Sequence, residues 1–122
     1  MKKSSSLLLT VIFLITISCS LNKGKFTITN DSDFDIDSLS IIPDSKKKLI
    51  ALKKGDIVNH SILMDEVKSD GRYYLSFKKS GTNQIVSQGF GYYTNGYQIE
   101  DVINIRILND TILINGKFNN SY

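Results

Sequence analysis

Ile103, Ile105 and Ile107 alternate with Asn104 and Arg106, and Thr111-Ile112-Leu113-Ile114 resumes the alternation after a polar break at Asn109-Asp110. Asn and Asp tolerate the positive φ that a tight turn needs. A two-residue loop sets Leu108 against Thr111, Ile107 against Ile112 and Ile105 against Ile114. Those four isoleucines then share one face, and a slip of one residue would send half of them to solvent. A hairpin with one such greasy face needs a second apolar layer to cover it.

The preceding residues supply strands for that layer. Lys25 to Asn30 alternates polar and apolar, with Phe26 and Ile28 on one side. Asn30-Asp31-Ser32-Asp33 is turn chemistry. Ile36 to Ile42 is rich in β-branched residues and is stopped by Pro43-Asp44-Ser45. Leu49 to Leu52, Ile57 to Met64, Arg72 to Phe77 and Gln84 to Tyr93 complete the set, the last with room for a bulge at Gly89 or Gly91. Thr94-Asn95-Gly96-Tyr97 is a turn. No segment after Ile17 carries an apolar stripe of helical period. Short strands with turns every ~8–12 residues predict an all-β chain, a sandwich or a small barrel.

The front of the chain has a different character. Lys2 and Lys3 precede the eleven-residue apolar run Leu7 to Ile17, and Ser18-Cys19-Ser20 follows. The run is too short to span a bilayer, which takes about 20 residues, and has the length and flanks of a secretory signal peptide. The single cysteine rules out a disulfide within one copy of the chain. A free thiol in an oxidising compartment is a liability, which favours a modified one.

The segment around Cys19 resembles the lipobox of bacterial lipoproteins: an aliphatic residue, a small or aliphatic one, a small one, then cysteine. Thr16 stands where leucine is usual. The resemblance implies diacylglyceryl attachment at Cys19, cleavage before it, and acylation (palmitate or similar) of the new N-terminus. Residues 1–18 are then a helical signal peptide, 19–24 a lipidated N-terminus with a short tether, and 25–122 one small β domain. Losing Lys2 and Lys3 leaves thirteen basic side chains against twelve acidic, too even a balance to draw nucleic acid.

A second resemblance lies at Gly71-x-Tyr73-x-Leu75, which is similar to the tyrosine corner of immunoglobulin-like sandwiches and occurs also in transthyretin-like ones. It implies a hydroxyl of Tyr73 bonded back to nearby backbone. The expected fold is therefore a single antiparallel β-sandwich, immunoglobulin-like or transthyretin-like, of seven to eight strands.

Four constellations bear on chemistry. Asp31, Asp33 and Asp35 are spaced like the start of a calcium loop, but Ile36 and Ile42 stand where such a loop needs Gly and Glu; a solvated turn is the expectation, with calcium as the weaker option. His60 has no cysteine or second histidine beside it, and Ser61 points away from it on a strand, so an exposed or edge histidine is expected. Glu100 and Asp101 would likewise splay apart. The lysine groups Lys46 to Lys48, Lys53-Lys54 and Lys78-Lys79 suit anionic headgroups or an acidic polysaccharide if they share a face, and otherwise guard strand edges.

Tyr92, Tyr93, Asn95 and Tyr97 form the candidate ligand or partner surface: three tyrosines around an Asn-Gly turn give contact area at low entropic cost. The expected function is a membrane-anchored envelope lipoprotein whose β-sandwich binds or scaffolds, with an envelope protein or a glycan as partner, without catalysis or cofactor. The alternative is a small inhibitor or immunity lipoprotein that blocks an envelope enzyme or toxin. Ser20-Leu21-Asn22-Lys23 carries no acidic cluster, which leans towards the periplasmic side of an outer membrane.

Overall fold

In a computed structural model, which describes residues 21–119, the terminal hairpin has the expected register. Ile107 pairs with Ile112 and Ile105 with Ile114, and the Leu108 N–H donates to the Thr111 carbonyl at 2.9 Å. The expected signal peptide and Cys19 lie outside the described residues.

Nine strands form: β1 (Lys23–Asn30), β2 (Ile36–Ile42), β3 (Ile50–Leu52), β4 (Ile57–Leu63), β5 (Gly71–Lys79), β6 (Ile85–Thr94), β7 (Tyr97–Gln98), β8 (Val102–Ile107) and β9 (Ile112–Lys117). Eight match expected strands. The ninth, β7, is two residues long and too short to leave a period in the sequence. They make two sheets, β4-β1-β8-β9 and β3-β2-β5-β6-β7, whose inner faces share one core. β1 starts at Lys23, so Lys23 and Gly24 belong to the sheet and not to a free tether.

The sandwich is not wholly antiparallel: β1 and β8 run parallel, with Phe26 beside Ile103 and Ile28 beside Ile105. Alternating polarity has the same period in parallel and antiparallel strands, so it carries no direction.

Two bulges set the core. In β2 the pairing shifts by one residue between Asp37 and Ser40, where Ser38 has φ 51°. Ile36 and Leu39, three apart, both turn inward as a result. In β6 the shift falls beside Gly91, with φ 60°, and brings both Phe90 and Tyr93 inside.

The aromatic centre is Tyr73. Its ring meets Phe26 edge-on at 5.2 Å, stacks on Phe90 at 5.5 Å and tilts against Tyr93 at 5.2 Å. Such pairs add ~0.5–1.5 kcal/mol each beyond the area they bury. The tyrosine-corner expectation is not met, because the buried Tyr73 hydroxyl has no hydrogen-bond partner among the described residues. Burial, with the nearby charge of Glu100 and the Tyr93 ring, pushes its pKa well above the ordinary phenol value. Tyr73→Phe therefore has no protein hydrogen bond to lose. The expected melting temperature is unchanged or a few degrees higher, since an unpaired buried hydroxyl costs ~1–3 kcal/mol; a clear drop would show that the hydroxyl is held.

Candidate functional site

The Asn-Gly turn forms as a two-residue hairpin between β6 and β7. Asn95 and Gly96 both have positive φ, 52° and 77°, as a primed turn requires. The Asn95 N–H donates to Asp70 Oδ1 at 2.9 Å, and the Gly96 N–H to the Ser69 carbonyl at 3.0 Å. A side chain at position 96 would run into the Val67 carbonyl, so glycine is required by space as well as by conformation.

The four residues of the candidate surface separate. The bulge at Gly91 turns Tyr93 into the core, where it is 9 % exposed, and leaves Tyr92 outside at 58 %. Tyr93 is thus a packing residue, and its hydroxyl lies against Gly71. Tyr97 is 63 % exposed, and Asn95 is exposed beside it. They face Asn22, not Tyr92: Asn22, Asp65, Val67, Lys68, Asn95 and Tyr97 line one shallow hollow.

Tyr92 instead belongs to the outer face of the second sheet. There Ile42 pairs with Tyr74, and Tyr74 with Gly89. The Tyr74 ring lies across Gly89, 3.1 Å from where a Cβ would sit, and the Arg72 guanidinium carbon is 3.7 Å from the same point. Ile42, Arg72, Tyr74 and Tyr92 are all exposed, giving an apolar, aromatic and cationic patch. Sequence reasoning passed over Tyr74 because it alternates with core residues; the glycine opposite it was the signal. Next to the patch, Ser40, Ser76 and Ser87 form a hydroxyl row.

The acidic run works as a bracket. Asn30 is fully buried; its amide donates to the carbonyls of Phe34 (2.9 Å) and Leu52 (3.2 Å) and accepts from the Ser32 N–H (3.1 Å), which shapes the turn. Asp31 then pairs with Arg106 at 2.9 Å, Asp33 accepts from the Asn109 amide at 2.7 Å, and Asp35 accepts from the Lys54 N–H at 3.0 Å. The three carboxylates serve three different neighbours. Among the described residues no group of three or more His, Cys, Asp or Glu is placed to hold a metal.

His60 is not on the surface. It sits on the inner face of β4 beside Phe26, 6 % exposed, with Nε2 unpartnered among the described residues. An inward polar group on an edge strand discourages pairing with other chains. The loop after β2 covers the same edge: the Leu63 N–H donates to Asp44 Oδ1 at 3.0 Å and the Ser45 N–H to the Leu63 carbonyl at 3.0 Å. Asp44 also accepts from the N–H groups of Lys46 and Lys48, both at 3.1 Å. Burial alone would raise the Asp44 pKa; those three N–H groups and the nearby imidazole outweigh it and hold the carboxyl below its ordinary value.

Burial lowers the His60 pKa below its ordinary value, helped by Lys48 and opposed by Asp44. A base with a depressed folded pKa makes the unfolded chain bind more protons at mildly acid pH. Its contribution to stability is complete above pH ~6.5 and is lost as pH falls from there through the folded value. The expected denaturation midpoint falls as pH drops below ~6.5, and His60→Phe removes that part of the slope; an unchanged slope in the variant would exclude His60 as its source.

Glu100 and Asp101 lie in the bend between β7 and β8, not on a strand. Glu100 packs on Gly116 with Oε2 buried, while Asp101 accepts from the Asn119 N–H.

The lysine groups divide between the two ends of the sandwich. Lys53, Lys54, Lys78 and Lys79 lie at the end where β1 finishes, near Asp31, Asp33, Asp35 and Asp37; Lys79 stands over the Phe34 ring at 4.4 Å. Lys46 and Lys48 lie at the other end, where with Lys23, Asp44 and Leu21 they line a hollow of about 70 Å³. Asn22 is fixed beside it: its N–H donates to Asp65 Oδ1 (2.7 Å), its amide to the Gly96 carbonyl (2.7 Å), and its carbonyl accepts from the Met64 N–H (2.9 Å). No protein-family model, no curated protein and no solved structure matches the chain.

Proposed function

We propose that this is a lipid-anchored lipoprotein of the bacterial cell envelope whose β-sandwich binds a partner protein without chemistry. The observation that carries the reading is how soon the chain becomes fixed after the lipobox-like segment. Asn22 follows Cys19 by three residues and holds three hydrogen bonds to other segments. Three extended residues reach about 10 Å at most. An acyl group on Cys19 would therefore hold one defined end of the sandwich at the bilayer and turn both sheet faces sideways, towards neighbours in the same envelope layer.

Of those faces, the second sheet's has the make-up of a binding surface: Tyr74, Tyr92, Arg72 and Ile42 are of the kinds that dominate protein contacts. The immunoglobulin-like or transthyretin-like kind of sandwich stays part of this proposal; two sheets of short strands support it, and the unbonded Tyr73 hydroxyl does not. The lean towards the periplasmic side of the outer membrane rests on the uncharged-to-basic residues after Cys19. The test is whether acylation and membrane partition both depend on Cys19.

A further inference from the structure

We infer that the end of the sandwich carrying Leu21 rests on anionic lipid headgroups through Lys23, Lys46 and Lys48, so that the anchored domain leans to that side. This rests on the lipid anchor proposed above. Leu21, two residues after Cys19, lines the same hollow as the three lysines. Two extended residues span about 7 Å, so an acylated Cys19 places the headgroup layer within about one Debye length of that hollow.

The three lysines are exposed. Among the described residues none of them is in an ion pair; the ion pair found there, Arg106 with Asp31, lies at the far end. The one carboxylate lining the hollow, Asp44, is 8 % exposed and turned to the backbone N–H groups of Lys46, Lys48 and Leu63. It organises the loop that carries two of the lysines and leaves their ammonium groups to outside anions.

The opposite flank of Asn22 differs. Asp65 and Lys68 line a hollow there together with exposed Tyr97. Positive charge therefore lies on one side of the attachment point and mixed charge on the other. A surface of anionic lipid attracts the first side and not the second, which sets a lean. The far lysines, Lys53, Lys54 and Lys78, lie at the opposite end of the strands, beyond the range of a screened headgroup field.

The experiment uses the processed, full-length lipoprotein inserted into vesicles of phosphatidylcholine alone or mixed with phosphatidylglycerol. Flotation on the neutral vesicles tests the anchor. An amine-reactive label, quantified lysine by lysine, tests the contact. On anionic vesicles Lys23, Lys46 and Lys48 should be labelled about five-fold less than on neutral ones, matching the attraction usual for a lysine near such a surface. Lys53, Lys54 and Lys78 should be unchanged, and high salt should abolish the protection. In the variant Lys23→Gln, Lys46→Gln, Lys48→Gln, flotation on neutral vesicles should persist, and labelling of Lys68 should not depend on the lipid. Flotation with equal labelling of Lys46 and Lys48 on both vesicles overturns the contact alone. Failure to float on neutral vesicles overturns the anchor and the contact together.

Discussion

Tyr93→Ala is expected to lower the free energy of unfolding by about 3–5 kcal/mol, the usual cost of removing a buried aromatic ring. The ring is 9 % exposed, lies 5.2 Å from Tyr73 and fills the space over Gly71. A domain of this size holds ~5–15 kcal/mol in all, so the loss lowers the melting temperature by more than ~10 °C. Tyr97→Ala, immediately after the turn, should change stability by less than ~0.5 kcal/mol, because its side chain is 63 % exposed and its strand pairing is through backbone. Thermal melts of the two single variants decide the matter. Equal small effects would mean that Gly91 does not reverse the facing of the residues after it.

Cys19→Ala is expected to abolish acyl labelling and to make the protein extractable from membranes by alkaline carbonate. Each buried CH₂ contributes ~0.8 kcal/mol to membrane binding, and two or more chains hold a protein stably where one does not. Among the described residues no helix is long and apolar enough to cross a membrane, and the apolar run Leu7 to Ile17 has eleven residues. The measurement is incorporation of labelled palmitate, with membrane partition before and after the wash. Label retained in the variant would remove the anchor at Cys19.

The fold was legible wherever one face of a strand repeats without interruption. Ile103 to Ile107 against Ile112 and Ile114 could pair in one way only, and the register is as expected. Strand direction was not legible, because Phe26 and Ile28 alternate in the same manner beside a parallel Ile103 and Ile105 as beside an antiparallel partner. The bulges at Ser38 and Gly91 were the other obstacle. Each inserts one residue and reverses facing beyond it, so Leu39 joined Ile36 in the core and Tyr93 went in where Tyr92 came out.

The candidate surface suffered for that reason. Gly91 was visible as a place for a bulge, but position alone does not say whether a glycine bends a strand or makes room for a ring, as Gly89 does for Tyr74. His60 shows a different limit: a polar residue flanked by Asn59 and Ser61 reads as solvent-facing, and only the pairing of β4 with β1 shows which of the three turns inward. The acidic run was legible as a turn; its ties to Arg106, Asn109 and Lys54 are long-range and leave no local trace.

The parallel pairing of β1 with β8 has a consequence for how the chain comes into being. Phe26 has no neighbour on one flank until Ile103 arrives, so the sheet that begins at the N-terminus is closed by the last hairpin. Contacts between such distant positions form slowly, after loop closure, and leave partial chains open. A polypeptide that waits for its tail before it can compact stays open to cleavage and to wrong strand pairing until its last hairpin is made.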